Sequence, residues 1–594
     1  MERHVIGEAK AREKAGPPQW PIAAIMAAAA VVRLLGVGYG LPYAFDFEEE
    51  INIRQAFTHT LDLRRTKMVP EDTSTSALPA YIYAAQYGAL YGWAGLWRRV
   101  SSLDEYRALF LIRPGLFIVL ARLASVAFGL AAVYLVYALC KSAFDWGVGV
   151  MAAVMMALSP HQVWASRLAT GDAIALVAAL GGLFFLLKMV MEKDFTNALY
   201  SALLLGLAGG AAFEYVAYLP AFMIVYLAVI PWHYKVRSTI LGFLLGILCF
   251  AAGTLLVNIA LVVTSPFGFV RAFATTSLSR MGVSGIFDLS RLREIFGRLA
   301  SFDVYVDGIG WALLTAGVLG LLAGLAVAKW HRMRYLAVLV FGVVPAALLF
   351  PADAYGFKNW AFMMTPALAI GGGALLYRLF WRPHMPAAAG VVLLALFTAT
   401  LTAQSAAQTS IRTARETARD TRTRYAQWAV ENLPDGSAVL ATPGARYLQD
   451  MRRIDWGGRH WQTYREQVMS AWGDKAFAVI LTGLKPTTRL PVAVPPVEYV
   501  AVDYWSERQM RLLAESSMEN LAQRMGLLEE QAEKARRDLE KIENARTEGE
   551  LLVVFEEPEH PARGYGPQIE VFEVKEVDLP QEPDDATGAH ADTQ

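Results

Sequence analysis

Residues 22–57 read IAAIMAAAAVVRLLGVGYGLPYAFDFEEEINIRQAF, and the order of the two halves decides the fold. The first half, to residue 38, is almost wholly apolar and close to the roughly 20 residues that a helix needs to cross a bilayer. The second half crowds Asp46, Glu48, Glu49 and Glu50 into the first polar stretch after it. Carboxylates packed this close to a membrane surface either cap a helix that starts near Glu49 or take part in chemistry.

Outward from this stretch the pattern repeats. The chain has 594 residues, 55% of them hydrophobic, which is too apolar for an ordinary soluble enzyme. Lys+Arg 54 balances Asp+Glu 54, so no excess charge points to nucleic acid. Apolar stretches at 21–38, 116–140, 148–165, 173–191, 198–213, 216–230, 239–263, 309–328, 336–350, 360–379 and 387–402 predict about eleven spans. The piece 78–97 is set apart, because counting it as a crossing reverses everything after it. With it laid along the outer surface, Lys141, Lys188 with Lys193, Lys235 with Arg237, Lys329 with Arg332 and Arg334, and Arg378 with Arg382 all face inward. Its tyrosines and tryptophans suit an interfacial helix. Residues 1–20 mix both charges without a small-residue cleavage site and read as a cytoplasmic tail. Cys140 and Cys249 lie inside apolar spans and read as core residues.

The resulting fold class is a polytopic α-helical membrane protein with a C-terminal extracytoplasmic α/β domain. A transmembrane domain occupies 21–404, with outer loops at 39–115 and 265–308, and the α/β domain covers 405–579. Strand candidates are 437–441, 477–481, 497–502, 550–556 and 568–574. The charged stretch 506–547 predicts a long exposed helix or helical hairpin, a solvated surface or a docking site for a protein partner. Residues 580–594 read as disordered. The outer domain carries no Asn-x-Ser/Thr site, which favours the cell inner membrane, with this domain in the periplasm, over a secretory compartment.

Soluble-enzyme motifs are missing: there is no Walker loop, no zinc-spaced Cys/His set and no G-x-S-x-G elbow. Gly371, Gly372 and Gly373 lie in an apolar span, where helix packing accounts for them better than phosphate binding. A transporter would show repeated halves and broken midplane helices, and neither is visible; a flippase or a non-catalytic membrane scaffold are the alternatives in other classes.

The order of features resembles the GT-C glycosyltransferases, in particular the protein O-mannosyltransferase and lipid A aminoarabinose transferase group. The residues that carry the resemblance are Glu48-Glu49, then Ser76-Ala77-Leu78-Pro79-Ala80-Tyr81-Ile82-Tyr83, Arg122-Leu123-Ala124-Ser125, Ala157-Leu158-Ser159-Pro160-His161, the run from Ser166 to Asp172, and 358–366. In those relatives the acidic pair is mostly Asp-Glu, so Glu48 stands where aspartate is usual, and Glu214 stands where relatives often carry a basic residue. The resemblance implies a polyprenyl-phosphate sugar as donor, no required cofactor, and an acceptor that is protein, lipid or glycan. It also implies that Glu48, Glu49 or the rival Asp46 supplies a general base for the attacking hydroxyl. Arg54, Arg167 and Lys358 are the cations that could hold the departing phosphate. No metal is predicted, although the acidic cluster has the oxygen ligands that Mg²⁺ or Mn²⁺ would take. Asp172 is either an N-cap or a site residue, His161 an interfacial histidine or a ligand, and Glu214 a snorkelling side chain or a site residue. Arg122, about two turns inside a span, requires a partner.

Overall fold

The computed structural model describes residues 19–38, 47–61, 76–97, 102–264, 311–327, 331–349, 358–380, 421–434, 437–441, 478–481, 497–503, 529–555 and 568–577, with a few isolated positions between them. The chain divides into two compact units, Met1–Arg99 with Gly115–Ser410, and Val100–Pro114 with Ile411–Gln594.

The first unit is helical. It contains α1 (Trp20–Leu34), α2 (Phe47–Leu61), α3 (Ala77–Leu96), α5 (Pro114–Ala143), α6 (Trp146–Leu158), α7 (Pro160–Ala165), α8 (Asp172–Glu192) and α9 (Phe195–Ala211). A 3-10 turn (Phe213–Ala217) then leads into α10 (Tyr218–Val229), α11 (Val236–Val257), α12 (Ile259–Thr264), α13 (Trp311–Val327), α14 (Arg332–Leu349) and α15 (Lys358–Phe380). Six helical stretches among the described residues are long and apolar enough to cross a membrane: Pro114–Ala143, Asp172–Glu192, Phe213–Trp232, Val236–Val257, Arg332–Leu349 and Phe362–Leu379. Four more stretches predicted as spans form shorter apolar helices, Trp20–Leu34, Trp146–Leu158, Phe195–Ala211 and Ala312–Val327. Most of the stretch 387–402 lies outside the described residues, which account for ten of the eleven predicted stretches.

One correction has a local cause. The stretch 148–165 is not one helix, because Ser159 is extended and Pro160, lacking an amide N–H, opens a new short helix. Burial on α5 shows how sequence becomes packing: Phe117, Ile118, Ala121, Arg122, Ser125, Gly129, Ala132 and Val136 recur at three- and four-residue spacing and are all buried. The Gly371 reading also finds its reason in geometry. A Cβ there would stand 2.5 Å from the Gly317 carbonyl oxygen, and one on Gly320 would run into the Gly371 carbonyl, so α13 and α15 cross at backbone contact.

The interfacial piece 78–97 forms α3, which is not among the six long apolar helices. Ser76 caps it by accepting the Leu78 N–H at 3.3 Å. Tyr83 and Tyr87 are fully buried, whereas Trp93, Leu96 and Trp97 at the far end are exposed.

The second unit carries α4 (Leu103–Ile112), α16 (Thr421–Asn432), α17 (Glu529–Glu548) and a five-stranded sheet of β1 (Ala438–Ala441), β2 (Ala478–Leu481), β3 (Val497–Asp503), β4 (Glu550–Phe555) and β5 (Ile569–Val577). All five strand candidates of the sequence therefore form strands. The order is β2-β1-β3-β5-β4, with β1 parallel to both β2 and β3 and β5 antiparallel to β3 and β4. The expectation of a long exposed helix is corrected for its described part. Leu539, Ile542 and Ala545 of α17, at three-residue spacing, are buried with Leu440, Val500, Val502, Phe572 and Val574 of the sheet. Its charged residues cover the other face, and Arg546 grips Glu507 through two bonds of 2.8 and 2.9 Å and Glu570 at 2.7 Å. Most of 506–528 and all of 580–594 lie outside the described residues.

Candidate functional site

The acidic run opens α2: Glu48, Glu49 and Glu50 occupy its first turn, where the helix dipole favours anions. Consecutive helical residues point about 100° apart, so three neighbouring carboxylates cannot share one environment. Glu49 is wholly buried, and Glu48 and Glu50 are half-buried. Asp46 lies outside the described residues.

Glu49 meets Arg122 of α5 as a bidentate pair, Nε to Oε1 at 2.7 Å and Nη2 to Oε2 at 2.8 Å, with Arg122 only 1% exposed. Arg122 Nη1 also donates to the Val37 carbonyl at 2.8 Å, just beyond α1. This is the partner that a charge inside an apolar span demanded. Glu49 Oε1 also accepts the Ala169 N–H at 2.9 Å, so three N–H groups already hold this carboxylate.

Ala169 belongs to the turn between α7 and α8, residues 166–171, and side chains from three helices, α1, α2 and α3, grip this turn. Asn52 of α2 donates to the Ala169 carbonyl at 3.1 Å. Tyr83 of α3 donates to the Thr170 carbonyl at 3.1 Å and stands 3.0 Å from Ser125 Oγ of α5. Burial, with the Glu49 and Asp172 carboxylates nearby, pushes the Tyr83 hydroxyl well above the ordinary tyrosine value, so it stays protonated as a donor. Gly171 has no room for a side chain, because a Cβ would lie 2.5 Å from the Ala211 carbonyl oxygen and 3.2 Å from Pro79. At the other end Arg33 Nε reaches Ser166 Oγ at 3.4 Å, and Arg167 Nη2 donates to the Val32 carbonyl at 2.5 Å.

The two arginines are buried, and their acceptors lie at helix ends. Arg33 donates to Ala157 in the last turn of α6, and Arg167 to Val32 in the last turn of α1. Cations there meet the negative ends of both helix dipoles. Arg167, chosen from sequence as a phosphate ligand, thus has a structural engagement on its guanidinium. Arg54 is half-buried on α2, and Lys358 opens α15 with its side chain outside the described residues.

The remaining candidates move from their expected places. Asp172 is the first residue of α8 rather than its N-cap, which is Gly171, and its carboxylate accepts from Thr170 Oγ1 at 3.1 Å. That still suits an anion at a helix N-terminus. His161 is 2% exposed, with its ring 6.0 Å from Phe362 and 6.1 Å from Trp164. Glu214 does not snorkel, being 1% exposed within the 3-10 turn. The contacts thus bring Glu49, Arg122, Tyr83 and Asp172 around one turn, with Glu48 on the adjoining helical position. Among the described residues no three His, Cys, Asp or Glu side chains converge to hold a metal ion.

Sequence reasoning missed Asn52, Tyr83 and Ser125 as one network. The available signal was Asn52 itself, a polar residue between Ile51 and Ile53 and three positions after Glu49.

Comparison with known proteins agrees with this architecture. The profile of the dolichyl-phosphate-mannose-protein mannosyltransferase family matches residues 111–256, which hold both Arg122 and the 166–171 turn. No curated protein matches by sequence. Among solved structures the chain resembles ArnT from Cupriavidus metallidurans bound to undecaprenyl phosphate, at 13% identity and TM-score 0.52, covering 84% of this chain and 96% of that one. It also aligns with the Archaeoglobus fulgidus oligosaccharyltransferase in complex with Zn and sulfate, at 15% identity and TM-score 0.47, covering 83% of this chain and 70% of that one.

Proposed function

We propose that this chain, which resembles the GT-C membrane glycosyltransferases, moves a sugar from a polyprenyl-phosphate-linked donor to an acceptor hydroxyl at the outer face of the cell inner membrane. One observation carries the assignment of the base. Of the acidic pair Glu48-Glu49 that carries the resemblance, Glu49 is sealed in its pair with Arg122 and its bond to Ala169, and the half-buried Glu48 beside it is the member assigned to substrate. Asp46 is the rival for that part.

In this reading the Glu48 carboxylate takes the acceptor's hydroxyl proton as the oxygen attacks the anomeric carbon. The bond from that carbon to the phosphate oxygen breaks, and polyprenyl phosphate departs as an anion that needs little protonation. Arg54 and Lys358, with Arg167 where its capping role allows, are the cations proposed to hold that phosphate. The chemistry requires one carboxylate and no resident cofactor. Asp172, fixed by Thr170, is the second acid of the site. The C-terminal α/β unit is proposed to lie on the periplasmic side, on the strength of the inward bias of basic residues.

The undecaprenyl phosphate in the ArnT structure supports the lipid class of the donor. Lipid extracted from the purified full-length chain and analysed by mass spectrometry is expected to contain polyprenyl phosphate or its sugar conjugate. Extracts holding only bulk phospholipid, even after incubation with added polyprenyl phosphate, would count against the reading.

A further inference from the structure

α2 grips a single residue of the 166–171 turn twice. Glu49 takes the Ala169 N–H at 2.9 Å, and Asn52 donates to the Ala169 carbonyl at 3.1 Å. Positions three apart are neighbours on a helix surface, so one face of α2 holds both polar groups of one residue. Asn52 is 2% exposed, and its Oδ1 has no hydrogen-bond partner among the described residues. An unmade bond at a buried acceptor costs about 1–3 kcal/mol. Between Ile51 and Ile53, both buried, a leucine would fill the space without that cost. The amide is therefore kept for its donor arm.

Glu49 pins α2 at one position, through Arg122 and the Ala169 N–H, and Asn52 adds a second attachment one turn further along, so the two together hold the rotation of the helix more closely than Glu49 alone. Glu48 lies four residues before Asn52, one helical turn away on the same side. We propose that Asn52 is a positioning residue, whose bond to Ala169 fixes the rotation of α2 and so sets where Glu48 presents its carboxylate to substrate. This rests on the reading of Glu48 as the general base. A displacement of about 1 Å at a reacting group can cost about 10²-fold in rate.

The test uses Asn52→Leu, which keeps the branched shape and removes the unpaired oxygen, with Asn52→Ala as a second variant. Both are assayed in membrane vesicles for release of free polyprenyl phosphate from a polyprenyl-phosphate hexose. Asn52→Leu should keep the thermal unfolding midpoint and the KM for donor while kcat falls about 10²-fold. In a Glu48→Gln background the same change should cost nothing further, because its effect runs through Glu48. Native kcat in both Asn52 variants, or a further 10²-fold loss on top of Glu48→Gln, would overturn the proposal. Deuterium exchange of residues 166–171 reads the clamp without turnover: it should rise in both variants, and unchanged exchange would equally overturn it. If Glu48→Gln alone retained native turnover while exchange rose as expected, the fault would lie with the assignment of the base, and the positioning role would fall with it.

Discussion

Glu48→Gln should lower sugar transfer by about 10²- to 10⁴-fold while leaving donor affinity and thermal stability near native, since the loss of a general base acts on the transition state. Glu49→Gln should do the reverse. Its carboxylate is buried against Arg122 and Ala169, so the neutral amide weakens the fold first and activity only through it. The contrast between adjacent glutamates is the useful part. A solvated loop of acids would make the two changes equivalent and mild, and turnover assays with unfolding curves on both variants separate the cases. If Glu48→Gln were native in rate and Asp46→Asn were inactive, the base would be Asp46.

The second large effect concerns the pair itself. Arg122 and Glu49 are 1% and 0% exposed, so removing one leaves the other charged and buried. Arg122→Met is therefore expected to cost about 3–5 kcal/mol. This is a large fraction of the roughly 5–15 kcal/mol that holds an ordinary domain together. The double change Arg122→Met with Glu49→Leu should recover most of that loss, because two apolar residues need no partner. It should not recover activity, since Ala169 loses its bond to Glu49. Equal unfolding midpoints for Arg122→Met and the native chain would show that the pair is not the lock it is taken to be.

Much of this architecture was written in simple periodicities. Apolar runs marked the helices of the first unit, and β-rich runs between turn signals marked each strand of the second. The partner of Arg122 was demanded by cost alone, although cost could not say which acid would answer. What stayed illegible was whatever depends on three-dimensional closure. Nothing in the places of His161 and Glu214 along the chain shows how completely the folded protein buries them. The apolar face of α17 was visible as Leu539 and Ile542, but a helix this rich in charge reads as solvated until a sheet is found beneath it. The gripping of Ala169 could not be read at all, because its grip depends on backbone groups, which carry no sequence signature.

The most direct test of the account is to locate the lipid phosphate. A polyprenyl phosphate analogue with a photoactivatable group beside its phosphate, crosslinked to the purified chain and mapped by peptide mass spectrometry, should label α2 (Phe47–Leu61) and the turn at 166–171. Excess unmodified polyprenyl phosphate should abolish that labelling. Saturable labelling confined to other parts of the chain, with these two segments untouched, would contradict the placement of a sugar-transfer site at Glu48.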